Sequence, residues 1–256
     1  MATLEIVQFI SRSDNFAVLL HDPESGATAS IDAPDADPII AALKERGWTL
    51  THILVTHRHQ DHIEGIPPLK AAYDCSVIGP ADSAAQTGMY DREVKDGDSF
   101  EWAGRRVAVM ATPGHTLDDV SYWLPGEKLV FTADLIFSLG CGRVIEGDHA
   151  MMWNSIGKVR ELPDDTALYC GHEYTLANAK FAVTVDLENK ALAKRLAEVE
   201  KLRADGKPTL PTILGREKAE NPFLRADDPG LMRQLGMAGA KPADVFAAIR
   251  TRKDKF

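Results

Sequence analysis

The sequence predicts a mixed α/β domain over residues 1–175 followed by a helical tail over 176–256. Three observations lead there. Short apolar runs bounded by Gly, Pro, Asp and Asn recur through the first part, as strands do. Helical spacing intervenes between several of them, giving β–α–β steps. After residue 175 the strand pattern gives way to a long amphipathic repeat.

Residues 4–9 and 16–20 read as the first strands, joined by a polar turn at Ser13-Asp14-Asn15. Residues 29–34 read as a third, ending in a carboxylate, Asp32. Ile39, Ile40 and Leu43 give 38–47 helical spacing, and Gly47 stops it. A strand over 51–55, a short helix over 67–73 and a strand over 75–79 make another β–α–β step. Residues 99–102 and 105–111 form a hairpin about Ala103-Gly104, and 121–124 and 128–132 another about Pro125-Gly126, ending at Asp134. A helix over 150–161 and a strand over 166–170 complete the domain. In the tail, 189–204 is a helix with Leu192, Leu196, Val199 and Leu202 on one face. A Pro-containing connection over 208–222 leads to a last helix over 242–253.

Composition narrows the class. The chain has 256 residues, 45% of them hydrophobic, so a substantial core is available. A net charge of −9 argues against nucleic acid as the main partner and means that an anionic substrate needs a local basic patch. Cys75, Cys141 and Cys170 form no C-x-x-C pair, which suggests reduced thiols and a cytoplasmic location. The first residues lack a basic, apolar leader, and no run reaches a membrane span of roughly 18 apolar residues, so no membrane association is expected.

The most informative segment is Thr56-His57-Arg58-His59-Gln60-Asp61-His62, directly after the apolar Ile53-Leu54-Val55. Strand ends of this kind place side chains at the carboxyl edge of a sheet, where open α/β folds build sites. His57 and His59, two apart, can face one cation, and Asp61 and His62 can reach a second. A His-rich surface loop is the plainer alternative. His115, Asp134 and His172 each follow another expected strand. Singly they read as a turn residue, a helix cap and a core histidine. Jointly, the seven divide into two sets of three and one shared carboxylate, which suits two metals roughly 3.5–4 Å apart.

The order T-H-x-H-x-D-H, T-P-G-H-T, a later Asp and G-H-E-Y resembles the metallo-β-lactamase superfamily. More narrowly, the chain resembles the glyoxalase II (hydroxyacylglutathione hydrolase) family. The matching segments are Gly140-Cys141-Gly142-Arg143 with Glu146-Gly147, Cys170-Gly171-His172-Glu173-Tyr174-Thr175, Lys180-Phe181-Ala182, Asn221-Pro222-Phe223-Leu224-Arg225 and the end from Arg250 to Phe256. The resemblance implies a four-layer αββα sandwich with a C-terminal helical domain and a dinuclear site. His57, His59 and His115 would hold one metal, Asp61, His62 and His172 the other, and Asp134 would bridge. Zinc is the expected ion, and iron and manganese also suit these ligands. Two departures stand out. Val144-Ile145 replaces a frequent aromatic pair, and Asp118-Asp119 replaces Gly-His after the T-P-G-H-T segment.

Water held by such a pair would have its pKa lowered from about 15.7 to near 7, and Asp61 and Asp134 would orient the resulting hydroxide. A thioester suits this site, because a thiolate leaving group of pKa about 8.5 needs little acid assistance. By the resemblance, the substrate is an S-(2-hydroxyacyl)glutathione, chiefly S-lactoylglutathione, hydrolysed in methylglyoxal detoxification. Arg143, Tyr174, Arg250 and Lys253 would bind the glutathione part. For Arg250 and Lys253, three apart on one helix face, a solvated basic helix end is the alternative. A monomer or small homo-oligomer is expected. The rival activities are those of a lactonase, a nuclease or a persulfide dioxygenase. The second calls for a basic track, and the third for a single iron without the Asp61 and His172 set. A thiol-conjugate binding module is the non-enzymatic alternative. The tail is expected to confer specificity alone, so that truncation after about residue 240 would leave the metals in place.

Overall fold

In the computed structural model, which describes residues 2–256, the first apolar runs pair as antiparallel strands β1 (Glu5–Ser11) and β2 (Asn15–His21). Most of β2 is buried, with Val18, Leu19 and Leu20 at 3% exposure or less, so it is an inner strand. Next to it lies β3 (Thr28–Ile31), antiparallel. From there the ladder turns parallel through β4 (His52–Leu54), β5 (Ser76–Pro80) and β6 (Arg92–Val94). Parallel neighbours need crossovers. These come from α1 (Ala36–Arg46), α2 (Gln60–Ile63) with α3 (Ile66–Tyr73), and α4 (Ala81–Thr87).

Local chemistry sets the ends of α1. The Asp35 carboxylate accepts from Asp37 N, and Gly47 closes the helix at φ 69°, a left-handed position that glycine adopts without Cβ strain. Ile39 and Leu43, wholly buried, join Leu19, Ile53 and Val77 in one core. β7 (Ser99–Trp102), β8 (Arg105–Ala111) and β9 (Val120–Leu124) form an antiparallel meander. Ala103 and Gly104 both have positive φ, as the tight turn between β7 and β8 requires. These elements belong to a first compact unit, Met1–Ala111 with Asp118–Glu127.

A second unit comprises Thr112–Leu117 and Lys128–Phe256. It contains β10 (Leu129–Ala133), the two-stranded hairpin β11 (Ile136–Phe137) and β12 (Gly140–Cys141), and α5 (His149–Arg160). β13 (Ala167–Cys170) runs parallel to β10. The tail follows as α6 (Thr175–Val185), α7 (Lys190–Ala204), β14 (Thr212–Ile213), α8 (Leu214–Glu220), α9 (Pro229–Gln234) and α10 (Pro242–Asp254).

Three of these helices are additions to the sequence reading. The α6 segment buries Asn178, Ala179, Phe181, Ala182 and Val185 and has little polar face, so its periodicity is faint. The connection over 208–222 resolves into β14 and α8, and α9 follows it. Elements this short carry almost no periodic signal.

A buried carboxylate ties the tail to the β11–β12 hairpin. Glu217 on α8, with no exposed surface, accepts from Ser138 Oγ (2.9 Å), Leu139 N (2.7 Å) and Thr212 Oγ1 (2.8 Å). Asn221 donates to the Phe137 and Gly140 carbonyls at 3.2 and 2.9 Å. A buried charge met by this many donors fixes what it holds. Among the described residues, no helix is long and apolar enough to cross a membrane. The three cysteines are free and buried.

Candidate metal centre

In the first unit, the chain leaves β4 and presents the histidines before the single turn α2. His59 occupies the N-cap position of α2, which puts Asp61 and His62 in the turn that follows. The rings gather: His57 lies 4.8 Å from His59 and 4.1 Å from His62 between centroids. His57 and His62 are almost fully buried, and His59 and Asp61 are partly exposed.

Carboxylates hold these rings from behind. His62 Nδ1 lies 2.7 Å from Asp32 Oδ2. His57 Nδ1 faces Thr56 Oγ1 at 3.1 Å and Asp119 Oδ1 at 3.4 Å. Asp32 is itself buried, and its Oδ1 accepts from Thr56 N at 2.7 Å. Asp61 accepts from Asn15 Nδ2 at 2.9 Å and stands 3.7 Å from His62 Nε2. An acceptor at Nδ1 fixes the tautomer and turns Nε2 toward the ligand position, the usual outer-shell arrangement of a metal-binding imidazole. Asp118 accepts from the Arg58 backbone N–H and its guanidinium, which anchors the loop between the first two histidines.

Three separated segments supply the second unit's groups. β10 and β13 are parallel neighbours whose carboxyl ends coincide, with Gly171 N donating to Ala133 O. Asp134 and His172 therefore emerge at one sheet edge. His115 follows Gly114, whose φ is 155° and where an added Cβ would fall 2.6 Å from Met152 Cβ, so no side chain fits there. His115 Nδ1 donates to Arg143 O at 2.8 Å. His115 Nε2 and His172 Nε2 each lie 3.4 Å from the same oxygen, Asp134 Oδ2. Two atoms each about 2.0–2.2 Å from one tetrahedral zinc-like ion stand about 3.3–3.6 Å apart. The donors present thus fit a divalent cation, and all seven are of a type able to hold one.

Beside these three groups, the second unit has a cavity of about 540 Å³ lined by His115, Asp134, Arg143, Tyr174, Arg250 and Lys253, within the usual size for a small-molecule site. Tyr174 stacks on His172 with 4.8 Å between centroids. Arg143 is exposed, and Glu146, which could have paired with it, accepts from Leu117 N at 3.1 Å. Lys253 donates to Ala177 O at 3.1 Å, and burial pulls its pKa below the ordinary lysine value. Arg250 is only 4% exposed.

Sequence reasoning missed the backing of the rings, Asp32, Thr56 and Asp119, and that of the Asp61 carboxylate, Asn15. One signal was present. Asp32 ends a strand as a lone carboxylate, just as Asp134 does, and its φ of 56° is a conformation that aspartate tolerates better than most residues.

The chain matches the family model described as the metallo-β-lactamase superfamily over residues 17–172, and the one described as the hydroxyacylglutathione hydrolase C-terminus over 173–256. A hydroxyacylglutathione hydrolase of Rhizobium meliloti is 55% identical over 256 residues, covering 100% of both chains. One from Brucella anthropi is 55% identical over 253 residues, covering 99% of this chain and 97% of the relative. The crystal structure of ETHE1 from Myxococcus xanthus superposes with a TM-score of 0.67 at 24% identity, covering 97% of this chain and 98% of that one.

Proposed function

Because this chain belongs to the hydroxyacylglutathione hydrolase family of the metallo-β-lactamase superfamily, we propose that it hydrolyses S-(2-hydroxyacyl)glutathione thioesters, S-lactoylglutathione above all. The products would be glutathione and a 2-hydroxy acid such as lactate. The observation that carries this reading is 55% identity along the full length, tail included, with the cations Arg143 and Lys253 lining the same cavity as His115 and Asp134.

We assign His57, His59 and His115 to one divalent cation, Asp61, His62 and His172 to a second, and Asp134 to both. The bridging assignment draws support from the single Asp134 oxygen that stands equally far from His115 and His172. Two such cations, zinc first, would supply water acidified to a pKa near 7 and an electrophile for the thioester carbonyl. Asp61 and Asp134 would accept hydrogen bonds from that water and so set its direction. His57 and His62 keep their tautomers through Asp119 and Asp32. The glutathione carboxylates meet Arg143 and Lys253, and Tyr174, anchored on His172, offers its hydroxyl. The leaving thiolate needs little help from a general acid.

The functional division is a catalytic part over 1–175 and a substrate-binding tail over 176–256. Free, buried thiols fit a reducing, cytoplasmic setting.

Turnover of a panel of glutathione thioesters, measured beside a β-lactam and a lactone with metal content determined on the same protein, tests this reading. Two metals per chain and strong preference for 2-hydroxyacyl glutathione thioesters are expected. Preference for the lactone, or turnover of a glutathione persulfide with one iron per chain, would overturn it.

A further inference from the structure

Burial alone does little to hold Asp61. Its side chain is 38% exposed, against 2% for His62 and none for His57. Asn15, the first residue of β2 and only 3% exposed, reaches it from the neighbouring hairpin. Asn15 Nδ2 donates to the Asp61 backbone carbonyl at 3.1 Å and to Oδ2 of its carboxylate at 2.9 Å. A side-chain amide carries two N–H groups at a fixed angle. By meeting both ends of one aspartate, it fixes the torsions that lie between them. The same Oδ2 stands 3.7 Å from His62 Nε2. A carboxylate oxygen has lone pairs enough to accept a hydrogen bond on one side and serve a cation on the other.

The hairpin itself is tied to the metal-binding loop. Asn15 pairs with Ser11 where β1 and β2 close, and both residues are buried. Inside that turn Arg12 takes a left-handed conformation, with φ 58°, which residues other than glycine seldom adopt. From there its guanidinium donates to Pro34 O at 3.3 Å and pairs with Glu64, the residue that caps α2. The turn thus meets the loop at two points, at Asp61 and three residues later.

We infer that Asn15 is a positioning residue. Its amide sets the direction of the Asp61 carboxylate for the cation assigned to Asp61, His62 and His172, and Arg12 keeps the turn that carries it in place. The effect is confined to one of the two metals. The inference rests on the reading of Asp61 as a metal ligand and is independent of which thioester is cleaved.

The test uses the full-length protein with Asn15→Leu, which keeps size and branching and removes the donors. Arg12→Met, which loosens the turn and leaves the amide, is the milder probe. Asp61→Ala and its double variant with Asn15→Leu complete a cycle. Three quantities are read: metal release to a chelator, fitted for two classes of site, the visible spectrum of the cobalt-substituted protein, and the melting temperature. Asn15→Leu should weaken one class roughly 10- to 100-fold, the range for outer-shell partners, and leave the other unchanged. Only the cobalt bands of the weakened class should change. On the Asp61→Ala background the same substitution should leave the remaining metal as it was, because two residues acting through one contact are not additive. Arg12→Met should shift the same class by less.

Unchanged metal release in Asn15→Leu would overturn the inference, as would any further weakening in the double variant. Equal weakening of both classes with an earlier melt would also overturn it and make Asn15 a structural residue of the hairpin. If the wild type turns over no glutathione thioester while one class of metal still follows Asn15 through Asp61, the substrate reading fails and the positioning role stands.

Discussion

The two groups of candidate ligands are built on opposite plans. In the first unit, four lie within six consecutive positions, and buried carboxylates from elsewhere in that unit, Asp32 and Asp119, back the rings. In the second, His115, Asp134 and His172 come from three distant segments, and backbone carbonyls and a parallel strand pair bring them together. The first plan writes its site into a motif, and only the support is hidden. In the second, the motif is little more than Pro-Gly-His or a lone Asp, and the fold itself is the support. Changes to the first should therefore act one ligand at a time, and changes to the second should propagate.

The strongest challenge to that contrast is removal of α10. Val245, Phe246 and Ile249 are wholly buried and Arg250 nearly so. Ending the chain after residue 240 is expected to unfold much of the second unit, with loss of activity on every substrate and of metal. This replaces the expectation of a detachable specificity tail. A well-folded truncated protein, by circular dichroism and metal analysis, would show that the second plan does not depend on the tail.

Next comes Asp134→Ala, which removes the oxygen between His115 and His172. Both metals should be lost or nearly so from a chain that stays folded, and His115→Ala should weaken mainly one. Elemental analysis of the two variants decides it, and two retained metals in the Asp134 variant would remove the bridging assignment.

The first unit should respond more locally. Asp32→Asn leaves His62 without its anionic acceptor, and roughly 10- to 100-fold weaker metal binding is expected at one site only. Competition with a chelator, fitted for two classes of site, measures this. Equal weakening of both classes would break the contrast.

Smaller still is Arg143→Ala. The group is exposed at the cavity, so loss of about 1.5 kcal/mol, the low end for a charge-assisted hydrogen bond, corresponds to roughly tenfold in kcat/KM. It should appear in KM for glutathione thioesters, with an unchanged melting temperature. An earlier melt at unaltered KM would make it a loop-stiffening residue.

The smallest effect concerns Lys253. Burial, then the neighbouring Arg250, disfavours its charged form, so its pKa lies below the ordinary lysine value. The cation is lost as pH rises through that lowered value. KM for a carboxylate-bearing substrate should climb there, and Lys253→Arg should flatten the rise. A KM profile independent of pH in the wild type would exclude a charge role.

Legibility followed the strength of local signals. Most strands and α1, α5, α7 and α10 were readable from their apolar spacing, reinforced in α1 by the stop at Gly47. The segments that became β6, α4 and the β11–β12 hairpin were not, since two or three residues of strand, or seven small and polar residues of helix, show no apolar period. The ligand types of the centre could be named from spacing, because imidazole and carboxylate chemistry survives without coordinates. Their backing could not. That Asp32 reaches His62 across thirty residues, and that Glu217 reaches Ser138 from α8, depends on which strand lies beside which. Only topology carries that information.

The grip of Glu217 and Asn221 on the β11–β12 hairpin bears on how such enzymes can be recombined. A chimera that imports a foreign tail at residue 175 would pair the old hairpin with new donors and acceptors, and leave buried amides and carbonyls at 137–140 facing unmatched groups. The segment that travels as a whole is the hairpin together with everything after it. A crossover placed before Leu135 preserves every one of those bonds, so the natural seam for exchanging specificity lies some forty residues upstream of the point where the tail begins.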